Sequence, residues 1–309
     1  MFSEGKTACY EPRSGSYYSV LFLVIPIVLL LYFDVEVPQF VNLPNVRPSV
    51  PLRHRRVAIL YWGMARAASL VAESHERFLR DPLRAAGLEA DVLMHTWRVQ
   101  EGEPILVWGR DTGARATGEE HLLLKPDEVI VDEQQEFLDA LDFTRYYKPG
   151  APPLNGVSGE WRPELLLNHV CALESLRRVT RLAMARGMQV GYEFVIFVRP
   201  DARIDSAFDP AWLADLRDAR EFYNESTIAL PITGHWAGYS DKFAATLFAD
   251  AEFYGARLDR LDWYRENERF IVSETYCKWA IEQHFRAVAF VPFDFTVVRP
   301  NGQAAGSET

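Results

Sequence analysis

Apolar and polar positions follow two rhythms along the chain. Val57–Trp62 is a short apolar run and reads as a buried strand, with Gly63-Met-Ala-Arg66 as the turn after it. From Ser69 to Ala86 apolar residues return every three or four positions, which predicts a helix stopped by Gly87. Asp91–Trp97 reads as a second strand. A strand–helix–strand opening favours a parallel sheet with right-handed crossovers. The strongest helical stripe runs from Pro163 to Arg186 through Leu165, Leu166, His169, Leu173, Leu176, Val179, Leu182 and Ala183, and Gly187 ends it. Phe194–Val198 is apolar, β-branched and aromatic, a strand that Pro200 must close because proline has no N–H to donate. Further on, Ser226–Ile232 reads as a strand and Lys242–Tyr254 as a helix. Ser273–His284 reads as a helix capped by Ser273 with Glu274 in its first turn, and Ala287–Phe290 and Phe295–Val298 as late strands. Gly102–Gly118 and Lys148–Gly159 carry little pattern and read as loops.

One stretch follows neither rhythm. Tyr17–Phe33 is uncharged and apolar, with aromatic residues at both ends. A spanning helix needs roughly 17–25 apolar residues and places aromatics at its interfaces. No small-residue cleavage site follows, so the segment reads as an uncleaved signal anchor rather than a signal peptide. Lys6 and Arg13 precede it and Asp34 and Glu36 follow, an asymmetry that puts the N-terminus in the cytosol and the bulk in a lumen or outside. The expected plan is a cytosolic tail (1–16), a transmembrane anchor (17–33), a proline-rich stem (34–54), an α/β domain (55–302) and a short polar tail (303–309). Asn224-Glu225-Ser226 fits the N-glycosylation pattern expected on the lumenal side.

Composition narrows the partners. The 309 residues carry a net charge of −10 and no basic stripe with interleaved aromatics, which argues against nucleic acid. The three cysteines, Cys9, Cys171 and Cys277, form no CxxC or Cys/His spacing, so a structural zinc site is not expected. Cys171 and Cys277 read either as a disulfide or as two buried thiols.

The chemistry concentrates where the Phe194–Val198 strand breaks into Arg199-Pro200-Asp201 and then Asp205. These residues stand at a strand's carboxyl end, where open α/β sheets place ligands. A carboxylate there can hold a divalent metal against a diphosphate, and an arginine can neutralise phosphates. The same segment also reads as a strand followed by an aspartate-capped turn.

Several pieces in order resemble a group of glycosyltransferase-like proteins with a GT-A-type nucleotide-sugar fold. Tyr61–Arg66 resembles the group's opening strand and Gly-x-x-Arg turn. Asp91–Trp97 is similar to its second strand ending His-Thr-Trp. Tyr192–Asp201 is similar to its Arg-Pro-Asp strand. Gly238–Ala244 resembles its Asn-Asp-Arg-Phe block, and Ser273-Glu274 and Phe295–Gly302 with Arg299 its closing elements. Asp-x-Asp, the fold's usual metal motif, has no literal counterpart. The resemblance spans roughly residues 55–302. It implies a mixed, mainly parallel sheet flanked by helices, and a membrane-anchored enzyme of the Golgi or another secretory membrane. Its substrates would be a nucleotide-sugar donor and a glycan or glycoconjugate acceptor, with Mn²⁺ or Mg²⁺ at the diphosphate.

Carried onto this chain, the resemblance makes Asp201 the metal or diphosphate carboxylate, with Asp205 as a second metal ligand. Gly63, Arg66, His95 and Arg199 would be donor contacts, and Asp241 and Glu274 the acceptor-side bases. Trp236 and Tyr239 are sugar-stacking candidates. Each has a plainer reading: turn cap for Asp201, surface ion pair for Arg66, satisfied core histidine for His95, first-turn acid for Glu274, core packing for the aromatics. A sulfotransferase is the alternative enzyme, because Phe197–Arg203 loosely resembles a phosphosulfate-binding segment. A non-catalytic membrane-tethered glycan-binding domain is the alternative without chemistry.

Overall fold

The computed structural model describes residues 52, 54–107, 110–147, 163–268 and 271–304. The expected tail, anchor, most of the stem and the loop from Lys148 to Gly159 lie outside the described residues. Among those described, no helix is long and apolar enough to cross a membrane.

The chain opens with β1 (Arg56–Trp62), helix α1 (Ala68–His75), a π-helical turn (Glu76–Arg80), α2 (Asp81–Ala85) and β2 (Glu89–Trp97). A hairpin, β3 (Pro104–Val107) and β4 (Arg110–Arg115), precedes β5 (Glu128–Asp132) and α3 (Gln134–Ala140). The long helix α4 (Pro163–Val190) leads into β6 (Phe194–Val198), β7 (Ala202–Ile204), α5 (Ala211–Tyr223) and β8 (Thr227–Pro231). Then come β9 (Phe243–Leu247), α6 (Ala251–Gly255), α7 (Leu261–Glu268), α8 (Ser273–Glu282), β10 (Ala287–Val291) and β11 (Phe295–Val297).

Seven strands form one sheet in the order β10-β8-β9-β6-β1-β2-β5. Six run parallel; β9 alone is antiparallel to both its neighbours. Side chains on a strand point alternately to its two faces, and both faces are covered. Ala58, Leu60 and Trp62 of β1 join Val195, Phe197 and Ala244 in a core against α4 and α8. Val57, Ile59 and Tyr61 join Ile196, Val198 and Ala245 against α1, α2 and α5. Burial on both faces explains why these strands read as continuous apolar runs rather than alternating ones.

Four local expectations change. The segment 102–118 holds a hairpin rather than a loop: Gly102 at φ +80 makes the turn before β3, Gly113 at φ +76 lies within β4, where the pairing shifts register, and Thr112 Oγ1 donates to the Ile105 carbonyl. Gly187 does not end its helix; α4 runs on to Val190 and stops at Gly191 (φ +76). Glycine stands at 187 because a Cβ there would lie 2.2 Å from the Phe248 ring. Ser273 is not a cap: Val272 occupies that position, and the serine hydroxyl bonds Glu274 instead. The stretch 242–254 begins as strand β9, not helix. Phe-Ala-Ala-Thr-Leu is helix-compatible in isolation, but between β6 and β8 all five residues are buried, and sheet pairing overrides propensity. Cys171 and Cys277 are both buried and free.

Candidate functional site

Because β9 runs against its neighbours, residues that precede it meet residues that follow β1 and β6. The carboxyl ends of β1 and β6 and the amino end of β9 form one rim, where Arg199 N–H donates to the Lys242 carbonyl at 3.1 Å.

Asp201 is buried at this rim. Arg199 grips it bidentately through one guanidinium edge, Nε donating to Oδ1 at 2.8 Å and Nη2 to Oδ2 at 2.5 Å. The backbone is fixed as well, since Val298 N–H donates to the Asp201 carbonyl at 2.8 Å. Burial raises the Asp201 carboxyl, but Arg199 and Arg66 outweigh it and leave it below its ordinary value. Burial lowers Arg66, and although Asp201 opposes this, Arg199 and Arg299 add to the lowering. Arg199 also lies over the Trp62 ring, 6.0 Å from its centroid. Two guanidinium groups, Arg199 and Arg66, thus act on one carboxylate, with Arg299 close enough for Arg66 to sense it.

Beside them lies a second cluster. Lys242 Nζ stands 3.1 Å from Asp241 Oδ1 and 3.3 Å from Glu274 Oε1. Burial raises the Asp241 carboxyl, but the Lys242 and Arg199 cations, together with Arg257, drive it far below the usual carboxylate range. A carboxylate held that low is a weak proton acceptor. Glu274 has a more open side chain, 14% exposed against 8% for Asp241, at the start of α8. Gly238 locks the approach of this helix: a Cβ there would fall 2.0 Å from the Glu274 carbonyl, and Tyr239 N–H donates to that carbonyl.

Two buried histidines hold the rim from below. His75 Nε2–H donates to the Ala202 carbonyl at 2.6 Å, and Nδ1 accepts from Tyr61 Oη at 2.9 Å. With Ser74 Oγ accepting from Ile204 N–H, the end of α1 clamps β7 directly after Asp201. His95 is fully buried, paired with Ser175 Oγ at 2.7 Å and Asp132 at 3.2 Å. It supports the core and does not line the rim. Gly63, at φ +93, makes the turn after β1, but its N–H is already given to Ser175 Oγ at 2.7 Å. It shapes the turn that carries Arg66 rather than binding a ligand.

The expected pairing of Asp201 with Asp205 on one metal fails on distance. The two flank β7 at opposite ends, four residues and so ~13 Å apart along a strand. Asp205 is bonded to Arg203 and to Thr296 Oγ1. Among the described residues no three His, Cys, Asp or Glu side chains gather as a metal needs. The donor set at the rim does not fit a divalent ion: Asp201 is engaged by a guanidinium through both oxygens, and an ammonium already lies between Asp241 and Glu274.

Of the expected residues, the fold therefore gathers Arg66, Arg199, Asp201, Asp241 and Glu274. It sends His95 and Gly63 to structural duties and Asp205 elsewhere. Tyr239 packs against Phe290 and His235, whereas Trp236 is 73% exposed on the β8–β9 loop. Lys242, His75, His169 and Ser175 were not singled out by pattern. Only Lys242 carried a usable signal, a lysine directly after Asp241.

No family model and no curated protein matches the chain. Many solved structures resemble it loosely, three of them as follows. An active-site mutant of LgtC is 11% identical over 76% of this chain and 72% of that chain, with a TM-score of 0.38. Mouse xyloside xylosyltransferase 1 in its apo form is 10% identical over 77% and 84%, at 0.36. The galactosyltransferase LgtC in complex with donor and acceptor sugar analogues is 10% identical over 76% and 73%, at 0.36.

Proposed function

We propose that the chain is a glycosyltransferase that takes a sugar from a nucleoside diphosphate donor and places it on a glycan or glycoconjugate hydroxyl. The observation that supports this most is the juxtaposition of two clusters on one rim: guanidinium groups around Asp201, and the carboxylate–ammonium set of Asp241, Lys242 and Glu274. The first suits a diphosphate and the second an acceptor hydroxyl. In the transfer, the bond from the sugar's anomeric carbon to the phosphate oxygen breaks, and its electron pair leaves on the phosphate. The acceptor oxygen bonds to that carbon and gives up its proton. Arg66 and Arg199 hold the departing charge. Glu274 is the better-placed proton acceptor, because Asp241 is held ionised by its cations.

A donor-hydrolysis screen across nucleotide sugars tests the reading, accompanied by thermal shifts with the same donors, the phosphosulfate nucleotide and free glycans. Hydrolysis of one donor is the expected result. Stabilisation by the phosphosulfate nucleotide alone would replace the reading with a sulfotransferase, and stabilisation by free glycans alone with a binding domain. We place the domain on the lumenal side of a secretory membrane, on the strength of the uncharged 17–33 run and its flanks, Lys6 and Arg13 before it and Asp34 and Glu36 after it. Asn224 is exposed at the end of α5. Expression in a secretory host should yield a protein whose mobility shifts on removal of N-glycans, and Asn224→Gln should lose that shift. A protein made without any glycan would argue against the lumenal placement.

A further inference from the structure

We propose that the donor's diphosphate is held by protein cations alone, the guanidinium groups of Arg66, Arg199 and Arg299, and that transfer runs without a divalent metal. The inference rests on the glycosyl-transfer reading and adds which groups take up the leaving charge.

Four observations carry it. Both oxygens of Asp201 are committed to Arg199, and pulling a carboxylate out of a buried ion pair to ligate a metal leaves the guanidinium uncompensated. The other two carboxylates at the rim already share a cation, the Lys242 ammonium. Asp205, the remaining acid of the segment, lies at the far end of β7 in its own contacts with Arg203 and Thr296. Finally, at Arg66 two guanidinium groups, Arg199 and Arg299, act against the single carboxylate of Asp201, while Asp241 and Glu274 act on Arg199. The field at Arg66 repels a divalent cation and attracts a polyanion. Guanidinium groups present paired donors that match phosphate oxygens.

The fold supplies these arginines from three separate places. Arg66 comes from the turn after β1, and Arg199 from the end of β6. Arg299 follows Val298, whose N–H is tied to the Asp201 carbonyl. A charge gathered from three elements is fixed before the ligand arrives, so the departing diphosphate meets donors that need little reorganisation.

The test is calorimetric titration of inorganic pyrophosphate into the full-length chain in mild detergent with EDTA, repeated with MnCl₂ and with MgCl₂. Manganese alone serves as a further arm. Binding in EDTA is expected, changing by no more than about twofold when metal is supplied, with no binding of manganese alone. Arg66→Gln and Arg299→Gln should each weaken pyrophosphate about tenfold, the loss of a charge-assisted contact, while their melting temperatures stay near that of the parent. Asp205→Asn should leave the affinity unchanged. Pyrophosphate binding that appears only with metal, or manganese binding that Asp201→Asn abolishes, would overturn the proposal. The two readings fail separately. Pyrophosphate binding in EDTA without turnover of any nucleotide sugar removes the transferase and keeps the cation site. Turnover that requires manganese does the reverse.

Discussion

Asp201 illustrates how a residue's partners decide its chemistry. In the sequence it stands where a metal ligand would stand; in the fold it is the counter-charge that keeps Arg199 in place. The carboxylate side chain is 7% exposed and the guanidinium 26%. Breaking a fully buried pair costs about 3–5 kcal/mol, and the partial exposure of Arg199 reduces this. Asp201→Ala is therefore expected to lower stability by about 2–4 kcal/mol in urea denaturation. Asp201→Asn, which keeps an acceptor oxygen for Arg199, should lose about half as much. A loss in both variants below about 0.5 kcal/mol would show that the pair is not structural. Arg199 and Asp201 were legible as functional types, but their mutual pairing was not. The strand ends at Val198 as pattern reading expects, and the two residues meet because the chain then turns, with Ala202 N–H donating to the Arg199 carbonyl; no periodicity announces such a pairing.

At the scale of elements, strands and helices with a strong period were legible: β1, β2, β6 and α4 fall within a few residues of their expected bounds. The misses share a cause. β9 and the β3–β4 hairpin are short and take their structure from neighbours, and neither alanine-rich nor glycine-rich segments announce a partner. The contact between the β8–β9 loop and α8 is of the same kind. The loop is held by His235, which donates to the Pro231 carbonyl at 2.7 Å and accepts from Ser240 N–H at 3.0 Å. It touches the helix start through Gly238. Nothing in the sequence told that glycine from any other. Gly238→Ala forces a methyl into the Glu274 carbonyl, a backbone atom that cannot swing aside. It should lower stability by about 1–3 kcal/mol and move Glu274 away from Lys242. Turnover should then fall at least tenfold with little change in donor KM. Equal loss in kcat and donor affinity would mean that the whole rim, not α8 alone, had shifted.

For the molecule as a whole, three buried histidines couple folding to pH. Burial pushes His75, His95 and His169 each down to about 4 from an ordinary 6.5. Their folded forms are thus neutral where the unfolded chain is protonated. The stability they support is fully present above pH 6.5 and is lost as pH falls towards about 4. The unfolded chain should bind about three more protons than the folded one near pH 5, read as the slope of unfolding free energy against pH. His75→Phe should reduce this uptake by about one proton. An uptake that does not change in that variant would remove His75 from the set. The α/β class followed from the chain's periodicities. The histidines' neutrality did not, because a histidine on an apolar stripe gives no sign of whether its partners come from the same helix or, as with His75 and the Ala202 carbonyl, from a strand more than a hundred positions away.

The reversed direction of β9 has one more consequence. In a wholly parallel arrangement, a connection between neighbouring strands must cross from one edge of the sheet to the other, and only its last or first few residues touch the ligand edge. Here the chain leaves β8 and enters β9 on the same edge. The intervening stretch, with Trp236 at 73% exposure, is anchored to the framework at its two ends, through His235 and Gly238, and by Tyr239, which packs against Phe290 and donates its N–H to the Glu274 carbonyl. It is a cassette. Its central residues can lengthen, shorten or change composition while the strands beneath keep their register. If the chain transfers a sugar as proposed, acceptor preference can diversify here without disturbing the arginines proposed for the donor.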